Sequence, residues 1–306
     1  MIAVGVIGLG VMGADHARLL RDEVRGAYLA ATCDPVRDCT HSDPLELIHA
    51  VDAVVIASPD ATHAGLALAC IAAGKPVLCE KPLGATSAEA WEVVQAETTL
   101  GRRLVQVGYM RRFDPAYLAM KACDIGPPAL LHNIHRNAQA PDWFTGAMPI
   151  TNSLVHEIDI SRWMLDDEIT EARVVGQDPM LVTMRTAKGV LISTEVFMNA
   201  AYGYHVHAEL VGRRGTVAMA QPTRIVTNRE GHHGHGYPMN WVPRFAEAYR
   251  AQMTAFVAGV ASGVLPGATA WDGYAATAIA EQIIPGLASG LAQTISLPAK
   301  PSLYEA

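Results

Sequence analysis

A short apolar run, Ile2–Ile7, passes straight into the turn Gly8-Leu9-Gly10-Val11-Met12-Gly13, and a helix-period segment, Val11–Glu23, follows at once. Three glycines in a GxGxxG string arise easily by chance, but a strand before them and a helix after them leave few alternatives. Gly8 permits the tight turn, Gly10 lets backbone approach a pyrophosphate, and Gly13 lets helix and strand pack closely. The helix start adds unpaired N–H groups and a partial positive charge, which suit phosphate. Asp34 lies 21 residues beyond Gly13, at the end of a second strand candidate, Tyr28–Cys33. A carboxylate there accepts hydrogen bonds from a ribose 2′-hydroxyl and repels a 2′-phosphate, so the turn reads as a site for NAD in preference to NADP.

The rest of the first 120 residues keeps the same alternation. Strand candidates Ala53–Ala57, Pro76–Cys79 and Leu104–Val107 are separated by helical segments Thr62–Ala73 and Ser87–Leu100. Continuous short apolar strands between helices imply a parallel sheet covered on both faces, an α/β Rossmann domain over residues 1–120. Only 16 residues, with Pro35, Pro44 and a polar run, separate Asp34 from Val51. A crossover needs about a dozen, so one short crossover fits, an additional helix and edge strand do not, and the adenosine side should be open. Beyond residue 120 the pattern changes. A helix begins near Asn152, and strand candidates follow at Ala172–Gly176, Met180–Thr186, Val190–Met198, His205–Val211 and Thr216–Ala220, with hairpin turns at Thr186–Gly189 and Gly212–Gly215. Helical segments Arg244–Val260 and Trp271–Leu287 close the chain. Residues 121–306 therefore read as an α+β domain with a largely antiparallel sheet, and 231–238, GHHGHGYP, as a loop.

Bulk properties restrict the function class. A formal net charge of −7 argues against nucleic acid and anionic membrane partners. No apolar run reaches the length of a membrane span, and the start of the chain lacks the basic region of a signal peptide. Five cysteines without CxxC spacing suit reduced, buried thiols, and the expected setting is the cytoplasm. His232, His233 and His235 match no dependable metal-ligand spacing, and no metal is expected.

Two further motifs carry chemistry. Glu80, Lys81 and Pro82 fall at the C-terminal end of a buried strand, where ligands of parallel sheets bind. Asn152-Ser-Leu-Val-His-Glu-Ile-Asp159 reads as a half-buried helix with Asn152 and His156 on one face and Asp159 a turn beyond. A lone histidine in such a place is ordinarily a satisfied core residue. Oxidation of a secondary alcohol, however, needs a base titrating near the working pH, and histidine meets that condition with little perturbation. A cationic lysine would stabilise developing alkoxide character.

With GLGVMG, EKPLG, RLVQVGYMRRFDP, NSLVHEID and AYGYHVHAELVGRRGTV in this order, the chain resembles the glucose–fructose oxidoreductase/inositol dehydrogenase (Gfo/Idh/MocA) family from residue 1 to about 276, and most of all its inositol 2-dehydrogenase branch. The resemblance implies a Rossmann domain followed by a domain with an open-faced sheet that pairs into homodimers or tetramers. It implies that Lys81 hydrogen-bonds the reacting hydroxyl and that His156 is the acid/base, with Asn152 beside it. Arg111, Asn137 and Tyr204 match substrate-hydroxyl ligands, with His205 and an apolar wall at Trp241 as further candidates. Ser58, Pro59, His63, Glu80 and Lys81 join the glycine turn and Asp34 as residues facing the cofactor. The substrate implied is an inositol-like cyclic polyol or sugar. Reduction of a keto-sugar, NAD-dependent glycoside cleavage and non-catalytic sugar or dinucleotide sensing are the alternatives. Two departures stand out. Asn152 replaces the aspartate usual four residues before the histidine, and the segment after Asp34 is shortened.

Overall fold

The computed structural model describes residues 1–220 and 226–305, the side chain of Arg229 excepted. It divides into two compact units, one of Met1–Phe113, Ala248–Ala278 and Leu297–Ala306, the other of Asp114–Glu247 and Ile279–Ser296. A single cut near residue 120 therefore does not describe the chain. The long helix and the tail near the C-terminus return to the first unit, because their apolar residues, Phe256 and Val257 among them, are buried there.

The first unit holds β1 (Ile2–Ile7), α1 (Val11–Asp22), β2 (Ala27–Cys33), α2 (Pro44–Ala50), β3 (Ala53–Ile56), α3 (His63–Ala72), β4 (Val77–Cys79), α4 (Ser87–Leu100) and β5 (Val105–Val107). The strands form a parallel sheet in the order β2-β1-β3-β4-β5. All of β3 and β4 is buried, as strands covered on both faces must be. Turn chemistry sets the helix ends: Asp43 caps α2 ahead of Pro44, Thr86 caps α4, and Gly101 closes α4 in the left-handed region. The short crossover after Asp34 is α2, seven residues long. In place of an additional edge strand there is one parallel bridge, Cys33 to His41, with the Thr40 and His41 N–H groups donating to the Thr32 carbonyl. Residues 35–38 are exposed, Val36 by 87%.

The tail is held by a buried carboxylate. Glu97, with no exposed surface, accepts hydrogen bonds from the Leu104 and Val105 N–H groups and from the Tyr304 hydroxyl. Burial pushes the Glu97 carboxyl and the Tyr304 phenol above their ordinary pKa ranges.

The second unit begins with α5 (Pro115–Ala122), β6 (Pro128–Arg136), a π-helical segment (Pro149–Leu154) and α6 (Val155–Leu165). β7 (Ile169–Gly176), β8 (Met180–Thr186), β9 (Leu191–Phe197), β10 (His205–Gly212) and β11 (Thr216–Ala218) follow, then β12 (Thr227–Arg229) and β13 (His232–Gly234). α7 (Trp241–Ser262), kinked at Phe245, and α8 (Ala270–Ile283) belong mostly to the first unit, while α9 (Pro285–Ser289) and β14 (Gln293–Thr294) lie in the second. The large sheet runs β11-β10-β6-β9-β8-β7-β14, antiparallel except where β6 meets β9. β8 alternates buried and exposed residues strictly, as a sheet covered on one face does.

Several expectations need correction. α5 and β6 were not foreseen; the inward residues of β6 include Asn133 and His135, so its apolar period is masked. His232–Gly234 pairs with Thr227–Arg229 as a hairpin and is not wholly loop. Pro285 opens a separate short helix, because its ring cannot continue α8. Cys33, Cys70 and Cys79 are buried, burial raising Cys70 to about 12, but Cys123 is exposed. No helix among the described residues is long and apolar enough to cross a membrane.

Candidate functional site

In the first unit the glycine turn is built for an anion. Gly8 has φ +86°, and a Cβ on it would lie 2.5 Å from the Ser58 nitrogen. A Cβ on Gly13 would lie 1.8 Å from the Gly8 carbonyl oxygen, so α1 rests directly on the turn. Gly10 faces open space and caps α1 without any side-chain hydrogen bond, and the first turn of α1 has no acidic residue. Val11, 67% exposed, and the half-buried Met12 follow. An uncapped helix start with its concave side open fits a pyrophosphate.

Asp34 is drawn against this turn. Its Oδ2 accepts from the Leu9 N–H at 2.7 Å, and its Oδ1 accepts from the Val36 and Arg37 N–H groups at 2.8 and 2.9 Å. These donors, Leu9 first, hold its carboxyl below the usual carboxylate range. Carboxylate oxygens accept more than one bond each, so capacity remains for ribose hydroxyls. Because the folded pKa is depressed, the stabilisation from these bonds is present above the unfolded value and is lost as pH falls through the folded one. The stability gap between wild type and Asp34→Ala should therefore close as pH drops below about 3.9, measured as urea midpoints across pH. A gap constant to pH 2 would contradict this.

At the end of β4, Glu80 is buried and Lys81 half-buried. The Lys81–Pro82 peptide is cis. Of the residues matched to the cofactor, Ser58 bonds Thr62 hydroxyl to hydroxyl at 2.6 Å, and Pro59 is exposed ahead of a single 3₁₀ turn. His63 is 1% exposed. Its Nδ1 lies 2.6 Å from the Pro82 carbonyl oxygen and its Nε2 2.8 Å from that of Ser58. The ring thus lies between two backbone carbonyls, to one of which a neutral imidazole can donate. Arg111 sits in a 3₁₀ turn, Met110–Phe113, at 1% exposure.

In the second unit α6 is buried almost throughout, with Glu157 at 0% and Asp159 at 1%, yet His156 keeps exposed surface, as does Asn152 just before the helix. Asn152 lies in the π-helical segment, a wider turn than the α-helical spacing assumed from sequence and one frequent at functional sites. His156 neighbours His135, their ring centroids 6.4 Å apart, and His135 meets Tyr204 edge-on at 5.8 Å. His135 Nδ1 lies 3.0 Å from Glu157 Oε2, both groups buried. Gly203, at φ +138° and tight against Tyr237, sets the entry of Tyr204. Asn137 follows β6, pinned by backbone bonds to Phe197 and Ala200, and its buried Oδ1 has no partner among the described residues.

His156, Tyr204 and the unforeseen pair His135 and Glu157 thus form one cluster, with Asn137 two residues beyond His135. His135 had a signal in the sequence: it precedes Asn137 by two positions, which puts both on one side of an extended chain. His205 lies elsewhere. Strand alternation puts it on the face opposite His135, where it bonds Tyr202 and neighbours His207 and Tyr237. Burial, and then Arg136, push its pKa down. Trp241 is 37% exposed at the start of α7. Among the described residues no group of three or more His, Cys, Asp or Glu could hold a metal ion.

Residues 2–109 match the model of an oxidoreductase family described as having an NAD-binding Rossmann fold, and residues 132–286 match that family's C-terminal alpha/beta domain. Inositol 2-dehydrogenase 1 of Saccharopolyspora erythraea is 46% identical over 333 residues, covering 99% of each chain. Inositol 2-dehydrogenase of Cereibacter sphaeroides is 38% identical, again over 99% of each. The crystal structure of Lactobacillus casei myo-inositol dehydrogenase in complex with NAD(H) and myo-inositol superposes with TM-score 0.94 at 29% identity, covering 100% of both chains.

Proposed function

The chain belongs to this NAD-binding oxidoreductase family, and from that membership we propose that it oxidises a secondary hydroxyl of an inositol-like cyclic polyol with NAD. The observation that carries the reading is His156, an imidazole still accessible on a helix buried elsewhere except at Trp163, and seated beside the His135–Glu157 pair.

The residues present fit the dinucleotide: the open side of Gly10 and the uncapped start of α1 would hold the pyrophosphate, and Asp34 the adenosine ribose. Asp34 favours NAD over NADP by charge, a 2′-phosphate meeting a carboxylate already stabilised as an anion. When bound, the nicotinamide supplies the hydride acceptor.

The protein supplies the rest. Lys81 donates a hydrogen bond to the reacting hydroxyl and stabilises the negative charge that grows on its oxygen. His156 takes the hydroxyl proton on a ring nitrogen. The pair His135–Glu157 fixes the rings around it, as partners of working histidines commonly do. Asn152 can orient the imidazole or a hydroxyl but adds no charge. The Asn137 Oδ1 is an acceptor for a substrate hydroxyl, which a polyol donates freely and an apolar ligand cannot. Tyr204 and Arg111 complete the set of hydroxyl ligands. The enzyme works as a cytoplasmic homodimer or homotetramer.

A panel of inositol isomers and aldoses, each tested for NAD and NADP reduction, checks the reading. Absorbance should rise with at least one inositol and with NAD more than NADP. A flat response across the panel would remove the enzyme assignment in favour of sensing. Release of free sugar from a glycoside without net NADH would indicate the hydrolytic variant of the chemistry.

A further inference from the structure

We propose that His16, a residue outside every site described above, is a positioning residue for Lys81, acting through the buried carboxylate of Glu80. The inference rests on the role proposed for Lys81, and its test is chosen to be readable without it.

His16 lies three residues past Gly13 on α1 and is wholly buried. Its Nε2 lies 2.8 Å from Glu80 Oε1, across 64 residues of sequence. Glu80, 7% exposed, is the residue immediately before Lys81. Its backbone is already fixed, the Glu80 N–H donating to the Ile56 carbonyl at 2.9 Å and the Gly108 N–H donating to the Cys79 carbonyl at 2.7 Å. Gly108 is a glycine for the sake of this carboxylate, since a Cβ there would lie 2.8 Å from Glu80 Oε2 and 2.9 Å from Glu80 Cα. The other edge of the His16 ring is steadied by Tyr249, whose ring stands at 77° with centroids 6.1 Å apart.

A carboxylate this buried is costly unless it is hydrogen-bonded. Removing His16 would therefore send the Glu80 side chain toward water and pull at the backbone from which Lys81 projects. Its other flank is held separately, by His63 on the Pro82 carbonyl. Lys81 thus stands between two histidine-anchored residues. The anchor on the Glu80 side comes from the helix whose start faces the phosphates, so dinucleotide binding and lysine placement share one rigid element. A loop lysine held only by its own backbone would need neither contact.

The test compares His16→Phe, which keeps an aromatic ring but loses the bond, with His16→Gln, whose side-chain N–H reaches about as far as Nε2. Two quantities are read. One is the hydrogen-exchange rate of the amides of residues 80–83 in the cofactor-free protein. The other is the steady-state split between kcat, polyol KM and NAD Kd. His16→Phe should quicken exchange at 80–83 and lower kcat on the order of tenfold to a hundredfold, the scale of a misplaced catalytic group. NAD Kd and polyol KM should move less than about threefold. His16→Gln should restore both exchange and kcat. Unchanged exchange and kcat in His16→Phe would overturn the inference, and so would a glutamine variant as impaired as phenylalanine. If His16→Phe does not fold, Glu80→Met, which keeps the side-chain length but removes the acceptor, is read by the same two measurements, and wild-type values there overturn it equally. If the wild type reduces NAD with no polyol, the functional proposal fails, and exchange alone decides the link between His16 and Glu80.

Discussion

Replacing His156 with alanine is expected to slow polyol-dependent NAD reduction by about two to four orders of magnitude, the usual contribution of a positioned general base. NAD affinity should be unchanged, because every dinucleotide contact proposed above lies in the first unit. The substitution is a clean one. Alanine is the best helix former, and the imidazole is, with Trp163, one of two partly exposed residues on a buried helix, so little packing is lost with it. Steady-state kinetics and a fluorescence titration with NAD separate the outcomes. Loss in kcat with intact Kd supports the base. A raised KM with intact kcat would make His156 a substrate ligand only. Turnover near wild type would return it to an ordinary core histidine and leave the buried His135–Glu157 pair without a catalytic reason.

The first unit was largely legible in advance, for reasons visible in particular residues. β1 and α4 fall on the expected bounds and α1 within one residue of them, because buried parallel strands are apolar throughout and Thr86 and Gly101 mark helix ends by their own chemistry. The shortness of the segment after Asp34 also read correctly, as chain length alone limits what a crossover can contain. The second unit was less legible where it carries polar residues inward. Asn133, His135 and Glu157 are buried, and polar residues at inward positions erase the apolar period by which strands are found. The same feature hid β6 and the partner of His156, which is why a polar cluster and a missed strand occurred together. The exchange of segments between the units was not legible at all, since it depends on which core Phe256 and Tyr304 join and not on any local pattern.

The glycine turn supports a prediction of comparable size and different character, because its glycines are required for different reasons. Gly13→Ala would place a methyl 1.8 Å from the Gly8 carbonyl oxygen and 2.8 Å from its carbon. Neither atom belongs to a side chain that can turn aside, so α1 must lift off the turn. Overpacking of this kind costs about 1–3 kcal/mol or more, and the displaced helix start no longer presents its N–H groups to a phosphate. Gly13→Ala should therefore lower the urea midpoint and abolish measurable NAD binding together. Gly10→Ala should behave otherwise. Its Cβ meets nothing within 4 Å, and its φ of −63° is open to any L-residue, so the fold should keep its stability. If that open space is where the pyrophosphate lies, the added methyl competes with it, and NAD affinity should fall by about tenfold or more, equivalent to about 1.4 kcal/mol. The pair is diagnostic because an unused glycine turn predicts the Gly13→Ala instability but not the Gly10→Ala loss of binding. Unaltered NAD affinity in a stable Gly10→Ala protein would mean that the dinucleotide, if bound, does not enter through this turn, and the assignment of Asp34 to its ribose would fall with it.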